Sequence, residues 1–289
     1  MKKLLVTGAT GHLGRAVIET LVKEIPADQL SVLTRNEEKR MGFQAKGFNA
    51  FLGSYDDIPA LERAMDGVDT VLLISSGDQG DRMQEHKNVI DTAKKKGVNQ
   101  IAYTSRCLND RATLANQLMT EHFETENYIL ASGLKHLFFR NVLYMDAIPQ
   151  FIGGDLALEK GIFLPAGDGR VSFALRSEMG EAIAHVLLKE ESENNIYNFT
   201  GAQSYSFYDI ASALTELTGK ELSYTDVETA SFEEMMKQRG MPEQVIQKIT
   251  DFITDIRHNQ EAGVYNDLEN ELGRSPATLK EGLKLLFNL

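Results

Sequence analysis

Short apolar runs alternate with amphipathic patterns along the first half of the chain. The runs are four to eight residues of Leu, Val, Ile and Phe, which is typical of buried strands, and they occur in KLLVTG, LSVLTR, FNAFLGS, DTVLLISS, QIAYTSR and HLFFRN. The segments between them place apolar residues three or four positions apart, as in HLGRAVIETLVKE, IPALERAMDG, EHKNVIDTAKKKG and TEHFETENYILASG. These segments are therefore predicted to be helices.

The order of these elements predicts the fold class. In the first predicted helix Leu13, Val17 and Leu21 fall on one face, which would pack on a sheet. Strands that alternate with helices imply crossover connections and a parallel sheet covered on both faces. The pattern thus predicts an α/β protein with a doubly wound parallel sheet of the Rossmann type.

The alternation stops after Asn141, and this change suggests how the chain is divided. Residues 176–190 and 196–201 read as one more helix and strand of the sheet, whereas the chain after residue 201 reads mainly as short helices. We therefore expect a dinucleotide-binding domain over residues 1–145, with 171–201 returning to its sheet. A smaller, mainly helical substrate-binding lobe would comprise residues 146–170 and 202–289.

Three glycines between the first strand and the first helix indicate a nucleotide site. Gly8, Gly11 and Gly14 follow the strand in GATGHLG. In such a loop one glycine allows the tight turn, another lets the backbone approach a pyrophosphate, and a third allows the helix to pack on the strand. The phosphates would sit on free N–H groups at the helix N-terminus. A structural turn without a ligand is the alternative interpretation.

The end of the second strand bears on which dinucleotide binds. An NAD site usually has an acidic residue there for the ribose hydroxyls, whereas an arginine suits the 2′-phosphate of NADP. Here the strand ends in Thr34 and Arg35, with no acid at its tip. The expectation is NADP, held by Arg35; the alternative is an exposed arginine paired with Glu37 or Glu38.

Composition excludes several classes of function. The 289 residues carry a formal net charge of -12, which disfavours a nucleic-acid partner. Cys107 is the only cysteine, so an internal disulfide is impossible, and we expect it to be a small buried hydrophobe. The histidines are scattered without metal-ligand spacing, and the first apolar run is too short for a signal or a membrane span. These features lead us to expect a cytoplasmic protein without metal or membrane contact. We also expect no flavin, because one dinucleotide site accounts for every binding motif found.

Several motifs in one order resemble those of the NmrA-like, atypical short-chain dehydrogenase family. They are TGATGHLG, LTRN, VLLISSGD, HKNVIDTAKKKGV with IAYTS, EHFETE and FRNVLY, followed by PAGDGRVSFALRSEMGEAIAHVL and LGRSPATLKEGL. Within the family the likeness is strongest to reductases of quinones and of triphenylmethane dyes. It extends almost from end to end, and one departure is Ser54, where many relatives have an aspartate facing the adenine.

The resemblance implies particular site residues. It assigns the phosphate loop to Gly8, Thr10, Gly11, His12, Leu13 and Gly14, and the 2′-phosphate contact to Arg35. The loop after the fourth strand would contribute Ser75, Ser76 and Gly77, and the end of the fifth strand Tyr103, Thr104 and Ser105. The far wall of the nicotinamide pocket would be formed by Asn141 and Tyr144. The side chains expected to line the acceptor pocket are Tyr144, Met145, Phe151 and Phe163, although each could equally be plain core.

His122 is the candidate catalytic residue. It occupies the position in EHFETE where many relatives of this family have a lysine or histidine near the cofactor. It could contact the cofactor or supply a proton near neutral pH. The alternative is an exposed His–Glu pair without a functional role, formed with Glu126 four residues further along the helix.

The usual acid–base pair of short-chain dehydrogenases is missing, because no tyrosine is followed four residues later by lysine. Chemistry at an alcohol or at a sugar carbon, as in a nucleotide-sugar epimerase, is therefore disfavoured. Hydride transfer from NADPH to a quinone or a similar electron-poor conjugated acceptor does not need a strong proton donor, because the reduced quinone can take its protons from water. The sequence thus predicts such a reductase, a monomer or homodimer acting on a small aromatic molecule. An NADP-binding redox sensor with little turnover fits the missing pair equally well.

Overall fold

The computed structural model of the protein describes residues 2–77, 80–189 and 194–289, apart from the Gln117 side chain. The chain divides into two compact units. The first unit comprises Met1–Arg106, Glu121–Arg140 and Arg176–Tyr197, and the second comprises Cys107–Thr120, Asn141–Leu175 and Asn198–Leu289.

The predicted doubly wound α/β fold is confirmed. A seven-stranded sheet has the order β3-β2-β1-β4-β5-β6-β9, in which the chain winds outward from β1 in both directions. The pairs of β1 with β2 and β4, of β2 with β3, and of β4 with β5 are parallel. Its strands are β1 (Leu4–Val6), β2 (Leu30–Thr34), β3 (Asn49–Leu52), β4 (Thr70–Leu73), β5 (Gln100–Arg106), β6 (Lys135–Asn141) and β9 (Asn195–Phe199).

Helices cover both faces of this sheet. Those that follow or precede its strands are α1 (His12–Glu24), α2 (Glu37–Ala45), α3 (Ile58–Ala64), α4 (Arg82–Lys95), α5 (Gln117–Ser132) and α8 (Arg176–Leu188). On one face α1 packs closely on α8, because a Cβ added to Gly180 would lie 2.5 Å from the Cβ of Ala16. On the other face a core joins residues of β1, β4 and β5 to residues of α3, α4 and α5, among them Leu61, Ile90 and Ile129.

The second unit contains smaller elements. Strands β7 (Ile162–Leu164) and β11 (Tyr224–Asp226) pair in parallel, and β8 (Arg170–Val171) pairs antiparallel with β10 (Tyr205–Ser206). Its helices are α6 (Ile148–Ile152), α7 (Ala157–Lys160), α9 (Phe207–Thr218), α10 (Thr229–Gln238), α11 (Glu243–Arg257), α12 (Asp267–Leu272) and α13 (Leu279–Leu286). The short helices expected after residue 201 are therefore present.

The structure differs from the sequence expectations in three places. Helix α2 was not predicted, because it is a polar helix without a buried residue and so shows no apolar periodicity. Residues 107–120 belong to the second unit rather than to the sheet-forming part. They are fixed there by Asp255, which accepts hydrogen bonds from the N–H groups of Ala115 and Asn116 at 2.7 and 3.1 Å. The helix predicted over residues 176–190 ends at Leu188, and residue 190 lies outside the described residues.

Within the described residues, no helix combines the length and the apolar character that a membrane crossing would need.

Candidate dinucleotide site

The loop between β1 and α1 has the close backbone packing that its glycines predict. Gly8 has a φ of +61°, a backbone conformation that residues with a side chain rarely adopt. Its carbonyl oxygen accepts a hydrogen bond from the N–H of Gly11 at 3.0 Å. A Cβ on Gly14 would lie only 2.4 Å from the same oxygen. Glycine at these two positions is therefore required by the turn and by the approach of α1 to the strand.

The N-terminus of α1 offers unsatisfied donors. Gly11 is the N-cap in an extended conformation, no side chain caps the helix, and no acidic residue occupies its first turn. The first N–H groups of a helix have no partner within it and carry the positive end of its dipole. This end of α1 is thus suited to an anionic group such as a phosphate.

A cavity of about 540 Å³ lies beside this loop, and we call it the switch-point cavity. It opens where the sheet order reverses between β1 and β4, which is where ligands of doubly wound sheets bind. Seven predicted residues line it: Gly8, Thr10, Gly11, Arg35, Ser75, Ser76 and Gly77. Ser54, the departure noted in the sequence, also lines it. Residues of the lining that sequence reasoning missed are Leu33, Thr34, Gly53, Tyr55, Ile74 and Glu85.

The other phosphate-loop predictions do not lie in this lining. His12, the first residue of α1, is exposed, whereas the Leu13 side chain and Gly14 are buried and pack the helix in place. Leu13 and Gly14 therefore shape the loop, and any contact that they make with a bound nucleotide would be through the backbone.

Arg35 is an exposed side chain on the wall of the switch-point cavity. The alternative of an ion pair with Glu37 is not realised, since Glu37 binds Arg40 instead, with the carboxylate 2.8 Å from Nε. Arg35 forms no ion pair with Glu38 or with any other described residue. Its guanidinium is therefore available to an anion in the cavity.

Tyr55 ties three strand ends together beneath the cavity. Its hydroxyl lies 2.6 Å from Oγ1 of Thr7, which follows β1, and 2.8 Å from the carbonyl oxygen of Ile74, which follows β4. Burial raises the pKa of Tyr55 well above its usual value, so the phenol stays protonated. Tyr55 lies on the loop that follows β3, directly after Ser54, and its partners are distant in the sequence, so no local motif identifies it.

Hydrogen bonds from neighbouring elements fix the loop after β4. The N–H of Ser75 donates to Oγ1 of Thr104 at 2.9 Å, and the N–H of Ser76 donates to Nε2 of His86 at 3.0 Å. Thr104 is a predicted site residue, and it is buried, so its role in the structure is to hold this loop. His86 was not predicted.

Two histidines lie in a buried polar network behind that loop. Since Ser76 donates to Nε2 of His86, the ring proton sits on Nδ1 and is donated to Oγ1 of Thr125 at 2.9 Å. By the same logic Arg82 donates to Nε2 of His122 at 2.7 Å, and Nδ1 of His122 lies 3.0 Å from the Tyr103 hydroxyl. Both rings are therefore held as neutral imidazoles.

Electrostatics agree with this assignment. Burial, followed by the charge of Arg82, lowers the pKa of His86 to about 3. The same causes hold the pKa of His122 well below its usual value. A neutral imidazole is a poor acid near neutral pH, so this environment lends no support to the expectation that His122 supplies a proton there, and that role stays a prediction.

The exposed His–Glu pair is wrong as an interpretation of His122. His122 is only 5% exposed, and Glu126 on the same helix bonds elsewhere. The Glu126 carboxylate accepts hydrogen bonds from Nε and Nη2 of Arg140 at 2.9 and 2.6 Å, and from Oγ of Ser105 at 2.5 Å. Ser105 and Tyr103, predicted beside the nicotinamide, are likewise buried, and burial raises the pKa of Tyr103 to about 12. Their side chains support the site rather than line it.

The remaining predicted residues lie in the second unit. Asn141 is buried, its Nδ2 donates to the Tyr144 hydroxyl at 3.4 Å, and its Oδ1 has no hydrogen-bond partner among the described residues. Met145 has no exposed surface and packs on Gly282, where a Cβ would lie 1.9 Å from its sulfur. Met145 is thus core and not pocket lining, whereas Phe151 and Phe163 line a cavity of this unit. Cys107 is buried, as predicted.

Together, the reversal of the sheet order, the glycine turn and the open end of α1 define the class of protein as a Rossmann-type dinucleotide-binding fold. The chain belongs to the NmrA-like family, whose model matches residues 1–286. The resemblance predicted from the sequence is thereby confirmed.

Named relatives cover the whole chain. Quinone oxidoreductase 2 of Escherichia coli (strain K12) is 34% identical over 290 residues, which is 99% of each chain. The crystal structure of the Escherichia coli NADPH-dependent quinone oxidoreductase QOR2 complexed with NADPH has a TM-score of 0.89, with 32% identity over 99% of this chain and 100% of that one. Triphenylmethane reductase from Citrobacter sp. superposes with a TM-score of 0.90 and 29% identity over 99% and 100% of the two chains.

Proposed function

We propose that this protein is an NADPH-dependent reductase that transfers hydride to quinones or similar electron-poor conjugated acceptors, without flavin. Its membership of the NmrA-like family and its full-length likeness to NADPH-dependent quinone oxidoreductase support the assignment as an NADP(H)-dependent oxidoreductase. The observation that supports this choice of cofactor is Arg35, which lies on the wall of the switch-point cavity and forms no ion pair with a described residue.

The residues of this cavity fit a dinucleotide phosphate. The N–H groups at the start of α1, which no side chain caps, would bind the pyrophosphate. Because Gly11 and Gly14 have no side chain, the pyrophosphate could come close to the backbone of this loop. Arg35 would bind the 2′-phosphate with its planar set of donors. Ser75, Ser76 and Gly77 would lie under the ribose and pyrophosphate, held in place by Thr104 and His86.

NADPH, when bound, supplies the hydride. The chain contributes the positioning of the nicotinamide against the acceptor. It lacks the tyrosine–lysine pair of the wider dehydrogenase group, but a reduced quinone can take its protons from water. We assign His122 a positioning role: its neutral ring holds the Tyr103 hydroxyl on one side and Arg82 on the other. Asn141, whose Oδ1 has no hydrogen-bond partner among the described residues, stays a proposed cofactor contact. Tyr144, Phe151 and Phe163 remain the side chains proposed to receive the acceptor.

The test is oxidation of NADPH by a panel of substituted benzoquinones, followed by the loss of NADPH absorbance. The controls are an enzyme-free blank and the variant Gly11→Asp, which puts a carboxylate where the phosphate would bind. We expect oxidation that exceeds the blank, saturates with quinone and is lost in Gly11→Asp. Tight NADPH binding without turnover on any acceptor would instead favour a redox sensor. A stoichiometric flavin spectrum in the purified protein would contradict the flavin-free mechanism.

A further inference from the structure

The second unit contains a cavity of about 580 Å³ that lies within that unit alone, and we call it the second-unit cavity. Its volume is in the range of pockets that hold small molecules. Residues from α6 to β7 form one wall, and α10 with Met241 and with Ile249 of α11 forms the other. The lining is dominated by aromatic rings and thioethers, namely those of Phe151, Phe163, Phe232, Met235, Met236 and Met241.

These side chains combine fixed and adaptable surfaces. Phe232 is buried, and the Phe151 ring packs on Phe252 with centroids 5.5 Å apart, so both rings are held in place. Phe163 is 41% exposed, so part of its ring can be reached from solvent. Methionine side chains adjust readily to the outline of a guest. The lining thus suits a flat apolar body.

The charges around this cavity have one sign. Lys160 and Arg239 line it, and no Asp or Glu is among its described lining residues. This is unexpected in a chain that has 42 acidic residues against 30 lysines and arginines. Neither cation forms an ion pair with a described residue, whereas Lys237, two positions before Arg239, lies 3.6 Å from Glu243.

A purely structural reason accounts for only part of this pattern. Lys160 is the last residue of α7 and Arg239 is the C-cap of α10, and cations at helix C-termini interact favourably with the helix dipole. The dipole does not account for two unpaired cations that meet at one apolar cavity from which carboxylates are absent. That combination is what an anionic amphiphile requires.

We propose that the second-unit cavity binds an amphipathic small molecule that has a flat apolar body and one anionic group, a carboxylate or a sulfonate. The apolar body contacts Phe163 and the methionines, and the anion is bound by Lys160 and Arg239. This ligand class follows from the lining alone, and it holds whether or not the bound molecule is reduced.

The experiment compares two fluorescent probes that differ in one charge: 8-anilinonaphthalene-1-sulfonate and the neutral N-phenyl-1-naphthylamine. Both are titrated into the full chain with saturating NADP⁺, which blocks the switch-point cavity and does not fluoresce. We expect one sulfonate probe to bind per chain, more tightly than the neutral probe.

Variants assign the site and the charges. In Lys160→Gln/Arg239→Gln we expect sulfonate binding to weaken about threefold to tenfold, as for two partly exposed ion pairs, while binding of the neutral probe changes less than about twofold. Lys237→Gln is the matched control, since it removes a cation of the same helix that does not line the cavity. Phe163→Ser should weaken both probes, because it removes part of the apolar wall. All four positions are exposed, so the fold should survive these changes.

Two results would overturn the proposal. One is equal affinity for the two probes with no effect of the double variant. The other is a sulfonate site that responds to Lys237→Gln as much as to Lys160→Gln/Arg239→Gln, since the affinity would then reflect net charge and not this cavity.

Discussion

The backbone N–H of Ser76 donates a hydrogen bond to Nε2 of His86 at 3.0 Å, so a buried histidine of α4 fixes the loop that borders the switch-point cavity. His86 has no exposed surface, and its other nitrogen is engaged by Thr125. The position of this loop therefore depends on a residue that itself does not line the cavity.

The first prediction concerns this contact. His86→Ala leaves the Ser76 N–H without its acceptor, and we expect NADPH binding to weaken roughly threefold to tenfold, as for the loss of one hydrogen bond. His86→Gln offers an amide oxygen near the position of Nε2 and should restore most of the affinity. The measurement is the dissociation constant of NADPH by fluorescence titration. Equal loss in both variants would show that His86 contributes packing and not this hydrogen bond.

The second prediction is a pH dependence of stability. In the unfolded chain a histidine takes up a proton near pH 6.5, whereas burial keeps the pKa of folded His86 at about 3. The unfolded state therefore binds more protons in the window between these values, so the free energy of unfolding falls as the pH falls. For one such histidine the loss from pH 7 to pH 5 is about 2 kcal/mol.

The measurement for this second prediction is urea unfolding of wild type and His86→Gln at pH 7 and pH 5. We expect the destabilisation on acidification to be smaller in the variant, because one of the two buried neutral histidines is gone. His258→Gln, an exposed position at the C-terminal end of α11, is the control. Parallel behaviour of wild type and His86→Gln would mean that His86 is protonated to the same extent in both states.

The sequence predicted the parts of the fold that have a strong apolar period. Helix α1 was predicted with its observed bounds, since Leu13, Val17 and Leu21 mark one face and the glycine loop marks its start. Helix α2 was missed because it is polar throughout, and in that case periodicity carries no signal.

The site was predicted where the backbone needs a particular residue type, and not where the contact spans distant positions. Gly8 and Gly14 are dictated by the turn itself, so the motif was enough to find them. Tyr55 and His86 act through partners 48 and 10 positions away in the chain, and pairing over such distances cannot be read from a single sequence.

The third prediction separates helix capping from phosphate binding at Gly11. This residue is an extended N-cap, a position that Asp and Asn favour because their side chains accept a hydrogen bond from the first turn. A Cβ there would lie 3.3 Å from the Gly8 oxygen, a tight contact that requires the loop to shift by a few tenths of an ångström. We therefore expect Gly11→Asp and Gly11→Asn to stay folded.

The two Gly11 variants should differ in cofactor binding. The carboxylate of Gly11→Asp repels a pyrophosphate, so we expect NADPH binding to weaken more than about a hundredfold, whereas Gly11→Asn should retain clearly more affinity. Thermal unfolding and NADPH titration of both variants are the measurements. If Gly11→Asp binds NADPH as well as Gly11→Asn does, the N-terminus of α1 is not the phosphate site.

The fourth prediction tests His122 as a positioning residue. Its pKa lies well below the usual value because the ring is buried beside Arg82, so we expect no titration of this residue near neutral pH. We expect His122→Gln to lower kcat/KM moderately and by the same factor across this range. A wild-type inflection near pH 6.5 that disappears in the variant would support the proton-donor role.

The fifth prediction concerns Arg35 and the choice between NADPH and NADH. If the Arg35 guanidinium binds the 2′-phosphate, then Arg35→Ala deletes one charge-assisted contact that NADH never makes. Such a contact contributes about 1.5–3 kcal/mol, so NADPH should bind roughly ten- to a hundredfold more weakly. NADH should be nearly unaffected. Arg35→Asp should go further and favour NADH, since an acid at this position repels the phosphate and accepts from ribose hydroxyls.

The measurement for this fifth prediction is the dissociation constant of each cofactor for wild type and both variants. Arg40→Ala is the matched control: it removes a cation five positions away that Glu37 already pairs, so it changes the net charge equally without touching the cavity lining. We expect Arg40→Ala to bind NADPH within about twofold of wild type, because an exposed ion pair contributes little. A wild type that already prefers NADH would contradict the assignment of NADP. So would an Arg35→Ala variant that weakens both cofactors alike, because Arg35 would then act on a group that the two dinucleotides share.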